Sequence, residues 1–280
     1  MAIKKAGFYQ EDPISGSAFQ LFIELDDQEL MCMSKSIESG LVVAFELFSL
    51  EKDANEDWND IFYEIKTISK LFNQTFKQVT CYFNTVEAVL VPEKYLTATS
   101  AEDYLNLIYG ESNRMEVKYE KLSSTKVFIN AYRIRKSLSE LLSRQFIIFQ
   151  TAHVYSSLLN DIMSRDIVQE QFVKIQCYTQ HFILAIWKGG RLQMVQTFKF
   201  VTAEDAMYFV LRATQQFAID PTAAVLEFSG MLDMEADLYK QLKNLYTHFE
   251  LDLLQPTGIF STVLLEYPNY YFTPFYKLSV

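Results

Sequence analysis

The chain has 280 residues, half of them apolar and a fifth charged, which suits one large or two ordinary globular domains and excludes wholesale disorder. Twenty-five basic residues against 35 acidic ones leave a net charge of −10; such a surface repels phosphate backbones and anionic lipid, so nucleic acid is excluded as a partner class. Apolar runs such as Phe182–Trp187 fall far short of the ~20 residues of a membrane-spanning helix, and polar Gln10-Glu11-Asp12-Pro13 follows Lys4 and Lys5 where a leader would be apolar, so the expected address is the cytoplasm, with no membrane contact.

In chain order, Ala18–Lys35 reads as two strands around a polar turn at Asp26-Asp27-Gln28, with Leu21, Ile23 and Leu25 alternating onto one face. Leu41–Leu47 is a third strand. Asp53 or Asn55 can then cap a helix with Glu56 and Asp57 in its first turn, where carboxylates suit the helix dipole. Trp58, Ile61, Phe62, Ile65, Ile68 and Phe72 follow at helical spacing, so one side is buried. Phe76–Phe83 and Ala88–Val91 are strands. A short helix at Ala101–Tyr109, strands near Glu116–Glu120 and Lys126–Ile134, a helix at Ser137–Phe146 and an apolar stretch at Phe149–Leu159 complete a first half.

From Phe172 the order starts again. Val173–Tyr178 and His181–Trp187 are strands, and Gly189-Gly190 forms a two-residue hairpin into Leu192–Phe198. Thr202 opens a capping box with Asp205, and the helix behind it presents Ala206, Met207, Val210, Ala213 and Phe217. Asp220-Pro221 ends it, Ala224–Phe228 is a strand leading into Ser229-Gly230, and a last helix carries Leu238, Leu242 and Leu245. Three strands, a helix and a fourth strand thus occur twice, which predicts an internal duplication. The halves are residues 1–165 and 166–280.

The stretches HFILAIWKGGRLQMVQTFKFVTAEDAMYFVL and VLEFSGMLDMEADLYKQL in the second half, and VLVPEKYL in the first, resemble a bacterial family of unknown function with an actin-like ATPase fold. The resemblance covers the chain from about residue 15 to the tail. It implies an α/β fold of two ribonuclease-H-like halves, each a five-stranded mixed sheet with flanking helices. It also supplies a test, because active members of that superfamily hold nucleotide phosphates between two hairpins of the form D-x-G followed by Ser, Thr or Gly. Glycine there lets backbone N–H groups reach the phosphates, and the Asp positions Mg²⁺.

In this chain the first hairpin corresponds to Leu25-Asp26-Asp27-Gln28-Glu29, which has the Asp but no glycine. The second corresponds to Cys177-Tyr178-Thr179-Gln180, which has neither. A Gly-Gly turn that packs adenosine corresponds to Ser229-Gly230-Met231, with one glycine left. Asp26, Asp27, Tyr178, His181, Ser229 and Gly230 are therefore the vestigial cleft positions. The expected cofactor is none.

Other chemistry finds little footing. Asp26-Asp27, Glu56-Asp57, Glu204-Asp205 and Asp233–Asp237 are acidic clusters, but three of the four fall at helix starts, where capping accounts for them. His153, His181 and His248 lack metal-ligand spacing, and Cys32, Cys81 and Cys177 read as buried thiols. No nucleophile elbow, dinucleotide fingerprint or phosphate loop occurs, so no catalytic or metal-binding residue is expected. The aromatic tail Tyr267–Tyr276 has two readings, an extended segment covering the core of its own half or a docking surface for a protein partner. The function expected is a non-catalytic interaction or scaffold protein. The alternative is an enzyme or small-ligand sensor using the cleft between the halves, with His181 and Asp26 as candidates. Nothing in the sequence sets an oligomeric state.

Overall fold

A computed structural model describes residues 1–10, 13–51, 57–97, 100–122, 128–165, 167–255, 257–263 and 265–280. The chain forms two compact units, one of Met1–Asp161 with Thr257–Val263 and Ser279, the other of Ile162–Pro256 with Leu264–Leu278 and Val280.

The first unit holds β1 (Ala2–Tyr9), β2 (Gly16–Leu25), β3 (Glu29–Ser36), β4 (Val42–Leu50), α1 (Trp58–Ile68), β5 (Phe76–Phe83), β6 (Ala88–Pro92), α2 (Ser100–Tyr109), β7 (Met115–Lys121), β8 (Phe128–Arg135), α3 (Lys136–Gln145), β9 (Gln150–His153) and the start of α4 (Val154–Ser164). Its main sheet runs β1-β4-β3-β2-β5-β9, and β6-β8-β7 form a small second sheet. The main sheet has six strands, one more than expected, because Ala2–Tyr9 pairs antiparallel with β4. Its polar side chains hide that role: Lys4 and Tyr9 both reach the buried carboxylate of Glu46 on β4.

Helix α1 buries Trp58, Ile61, Phe62 and Ile65, while Ile68 at its end is exposed. Asp57 stands at its N-cap position without a side-chain capping bond, and Asp60 supplies the acidic group of the first turn. Asp53, Asn55 and Glu56, the other residues expected at this helix start, lie outside the described residues, as does Lys126 before β8.

The second unit holds β10 (Gln171–Cys177), β11 (His181–Lys188), β12 (Arg191–Lys199), α5 (Ala203–Gln216), β13 (Val225–Gly230), α6 (Asp237–Leu245) and β14 (His248–Leu251). The β11–β12 hairpin turns on Gly189 and Gly190, whose φ angles of 60° and 65° are the left-handed pair such a turn requires. The Thr202–Asp205 capping box is complete in both directions and starts α5.

The strand order is β12-β11-β10-β13-β14, with antiparallel steps to β12 and parallel ones to β14. The order β4-β3-β2-β5-β9 has the same directions. The duplication read in the sequence is therefore a duplication of topology. Each sheet buries an apolar side, built around Leu21, Ile23, Cys81 and Phe83 in one unit and Val173, Ile175, Leu184 and Phe228 in the other.

The tail departs from the extended path expected of it. Thr257–Val263 ends in α7 (Phe260–Val263), and beyond Pro268 comes α8 (Thr273–Tyr276) with Pro274 in its first turn. Proline fixes a helical φ and lacks only an N–H that the first turn does not use, so it starts a helix as readily as it stiffens an extended segment. Tyr270, Phe272 and Phe275 are buried in the second unit. Among the described residues no helix is long and apolar enough to cross a membrane.

Candidate functional site

The first turn, between β2 and β3, is closed by its own carboxylate. Asp26 Oδ1 accepts the backbone N–H of Gln28 and, at 2.6 Å, that of Glu29. The Asp26 N–H donates to the Glu29 carbonyl at 3.1 Å. This is the Asx geometry that an Asp without a neighbouring glycine favours. Two N–H groups of the turn are thereby directed onto a carboxylate of the chain. Beneath the turn, Asn84 donates to buried Glu24 at 2.9 Å. Asp27 stands 3.7 Å from the Arg135 guanidinium, both side chains being about half exposed.

The second turn follows β10. The Tyr178 N–H donates to the His181 carbonyl at 2.9 Å, and the two rings stack with centroids 4.5 Å apart at 12°. Gln176 donates to the Tyr178 hydroxyl at 2.7 Å, and Phe275 of the tail meets the Tyr178 ring edge-on at 5.8 Å. A glycine-free turn is tolerated here because none of residues 178–181 has a positive φ.

The third element ends β13. Gly230 has φ +113°, and a Cβ there would lie 2.0 Å from the Cys177 carbonyl oxygen, so this position admits only glycine. The Gly230 N–H donates to the Tyr270 carbonyl at 3.0 Å, and Met231 donates to Cys177 at the same distance. Ser229 is fully buried, and its hydroxyl has no hydrogen bond among the described residues. The register pairs Gln176 with Ser229 and Cys177 with Gly230. The fold thus brings Tyr178, His181, Ser229 and Gly230 together at one end of the second sheet, while Asp26 and Asp27 occupy the matching end of the first.

Several buried polar groups escaped the sequence reading. Lys174, between Val173 and Ile175 on β10, is 1% exposed and donates to Glu227 at 2.9 Å and to Asp252. Arg165 grips Glu227 with two bonds of 2.7 and 3.1 Å, and Lys277 lies 2.7 Å from both Asp252 oxygens. Burial alone would raise the Glu227 carboxyl; Lys174 and Arg165 outweigh it and bring the pKa to about 2. Glu46 behaves likewise, its burial outweighed by Lys4, Ser69, Tyr9 and the Lys70 N–H.

His153 is buried, its Nε2 2.9 Å from the Thr85 carbonyl and its Nδ1 accepting the Tyr155 N–H at 3.1 Å. That pairing fixes the neutral tautomer, and burial lowers its pKa to about 3. The three cysteines are buried free thiols, and burial pushes Cys81 and Cys177 well up. Among the described residues no group of three His, Cys, Asp or Glu is placed to hold a metal ion. A polar residue inside an apolar strand, as in Val173-Lys174-Ile175-Gln176, was the available signal; its partners lie too far along the sequence to be read.

Among solved structures the chain is similar to a protein of actin-like ATPase fold and unknown function from Bacteroides thetaiotaomicron VPI-5482. Identity is 16%, the TM-score 0.73, and the match covers 89% of this chain and 96% of that one. It is also similar to a chain of the PilM-PilN type IV pilus biogenesis complex, at 10% identity and a TM-score of 0.60, covering 95% of this chain and 98% of that one. These likenesses show the fold, which is that of the actin-like ATPases. No curated protein matches the sequence. The pattern of the family described as "Protein of unknown function (DUF3822)" matches residues 11–249, and the chain belongs to that family.

Proposed function

We propose that this member of the DUF3822 family is a non-catalytic interaction protein of the bacterial cytoplasm, an actin-like body that has lost ATP binding and works by docking another protein. The observation that supports the reading is that the chain itself takes up the backbone groups of the three turns that the resemblance aligns with nucleotide binding. Asp26 takes the N–H groups of the first turn, the Tyr178 N–H of the second is taken by the His181 carbonyl, and the Tyr270 carbonyl takes the Gly230 N–H of the third. A triphosphate would meet a carboxylate where it needs donors.

Three unpaired buried thiols suit a reducing compartment. The similarity to a chain of a two-protein pilus biogenesis complex supports docking as a use for this fold. The alternative, a small-ligand sensor using Asp26 and His181, has less support, because the Asp26 carboxylate closes its own turn and the His181 ring is stacked on Tyr178.

Thermal unfolding of the full chain with and without millimolar Mg-ATP tests the reading. A ligand at 100 times its dissociation constant stabilises by about 2.7 kcal/mol, enough for a visible shift; none is expected here, and a clear rise in melting temperature would overturn the loss of nucleotide binding.

A further inference from the structure

In open α/β sheets, ligands sit outside the carboxyl ends of parallel strands, at the point where the connections diverge. In the second unit that point lies at the ends of β10 and β13, and residues of the chain's own tail are seated on it. The Tyr270 carbonyl accepts the Gly230 N–H, and the Tyr270 hydroxyl donates to the Leu232 carbonyl at 3.1 Å. The Tyr270 ring stacks on Tyr239 at 6.0 Å and meets Phe228 edge-on at 5.6 Å. Three residues on, Thr273 donates to the Asp252 carbonyl at 3.1 Å, and Lys277 then closes on the Asp252 carboxylate.

These contacts are made by single backbone groups and side chains, with Tyr270 reaching into the apolar core, and not by a strand ladder. Among the described residues the tail pairs with no strand, whereas β10, β11, β13 and β14 complete their ladders with one another. Without the segment that ladder keeps its pairings, the Gly230 N–H loses its acceptor, the Asp252 carboxylate keeps Lys174 but not Lys277, and the Tyr178, Phe228 and Tyr239 rings each lose an aromatic neighbour. A surface of net charge −10 further favours a cationic visitor.

We propose that the crevice at the ends of β10 and β13 is a peptide-binding site whose resident occupant is the segment Tyr270–Lys277, and that a partner peptide of the same chemistry, aromatic rings followed by a basic side chain, enters by displacing it. The proposal rests on the non-nucleotide reading above and gives that reading a docking surface. The Gly230 amide is the natural reporter, since it belongs to β13 but its acceptor belongs to the tail.

Native-state hydrogen exchange on the full chain should show Gly230 exchanging together with Tyr276, whose N–H is bonded to Phe272 within the tail, and about tenfold or more faster than the Val225–Phe228 amides. A labelled peptide with the sequence of residues 266–280 should bind the full-length Phe275→Ala variant about tenfold more tightly than the parent chain, because the resident segment is weakened. Lys277→Met releases the Asp252 anchor without opening the core, and it serves should the first variant fail to fold. Gly230 exchanging only with its strand, or peptide binding unchanged in both variants, would overturn the proposal. Mg-ATP in the same exchange experiment keeps the two readings apart. Protection of Gly230 by Mg-ATP would sink the non-nucleotide reading, while co-exchange of Gly230 with β13 would sink the displaceable tail alone.

Discussion

Glu227→Gln tests the buried charge cluster of the second unit most directly. Glu227 accepts from Lys174 and twice from Arg165, and the amide that replaces it would turn an N–H₂ toward donors. The magnitude follows from the carboxyl, whose pKa falls from 4.5 to about 2 on folding. At about 1.4 kcal/mol per pH unit, that corresponds to about 3 kcal/mol of stability. Because the folded value is the lower one, the contribution is complete above pH 4.5 and drains away as pH falls toward 2.

Glu227→Gln should therefore cost about 3 kcal/mol at pH 7 and flatten the acid slope between pH 4.5 and 2. The chain has two tryptophans, Trp58 in the first unit and Trp187 in the second. Urea unfolding followed by Trp187 fluorescence in a Trp58→Phe background thus isolates the relevant transition. Lys174→Met is the contrast: it leaves Glu227 on Arg165 and Asp252 on Lys277, a balanced set, and should cost less. Equal acid slopes for parent and Glu227→Gln, or a Lys174→Met loss exceeding that of Glu227→Gln, would refute this account.

Two further outcomes follow from single contacts. Gly230→Ala places a Cβ against the Cys177 backbone at a φ that L residues rarely adopt, and should cost about 3 kcal/mol in the same urea assay. His153 stays neutral in the folded chain down to about pH 3, while the unfolded chain protonates near pH 6.5, so it lowers stability progressively as pH falls through that window. His153→Gln should remove this slope, read from Trp58 fluorescence in a Trp187→Phe background, and an unaltered slope would contradict the buried neutral ring.

Apart from the repeated order of elements, what was legible in the sequence was local. The Thr202–Asp205 box and the Gly189-Gly190 turn each carry their whole explanation within four residues, and both stand in the structure where they were read. Strand β1 was not legible, because its lysine makes sense only beside Glu46, a partner 42 positions away. The tail was misread as extended because proline suits both an extended path and a first helical turn, and tertiary seating chose the second. The resemblance singled out Asp26 and Gly230, but not the groups that bond to them. Asp26 acts within its own turn, whereas the Tyr270 carbonyl comes to Gly230 from 40 residues on.

The way the tail is divided has a consequence for how the chain is made. Residues 257–263 belong to the first unit, where the Ile259 N–H donates to the Val42 carbonyl at 3.0 Å and the Phe260 ring meets Phe45 at 5.5 Å. Residues 264–278 belong to the second, where Tyr270 is part of the apolar core. On a ribosome, then, the first unit is not complete when its last strand emerges; the segment that covers Val42 and Phe45 follows only after the whole second sheet. A product interrupted before Phe260 leaves Phe45 without its neighbour in one unit and the core of the other without Tyr270, which presents such fragments to proteases as unfinished on two counts.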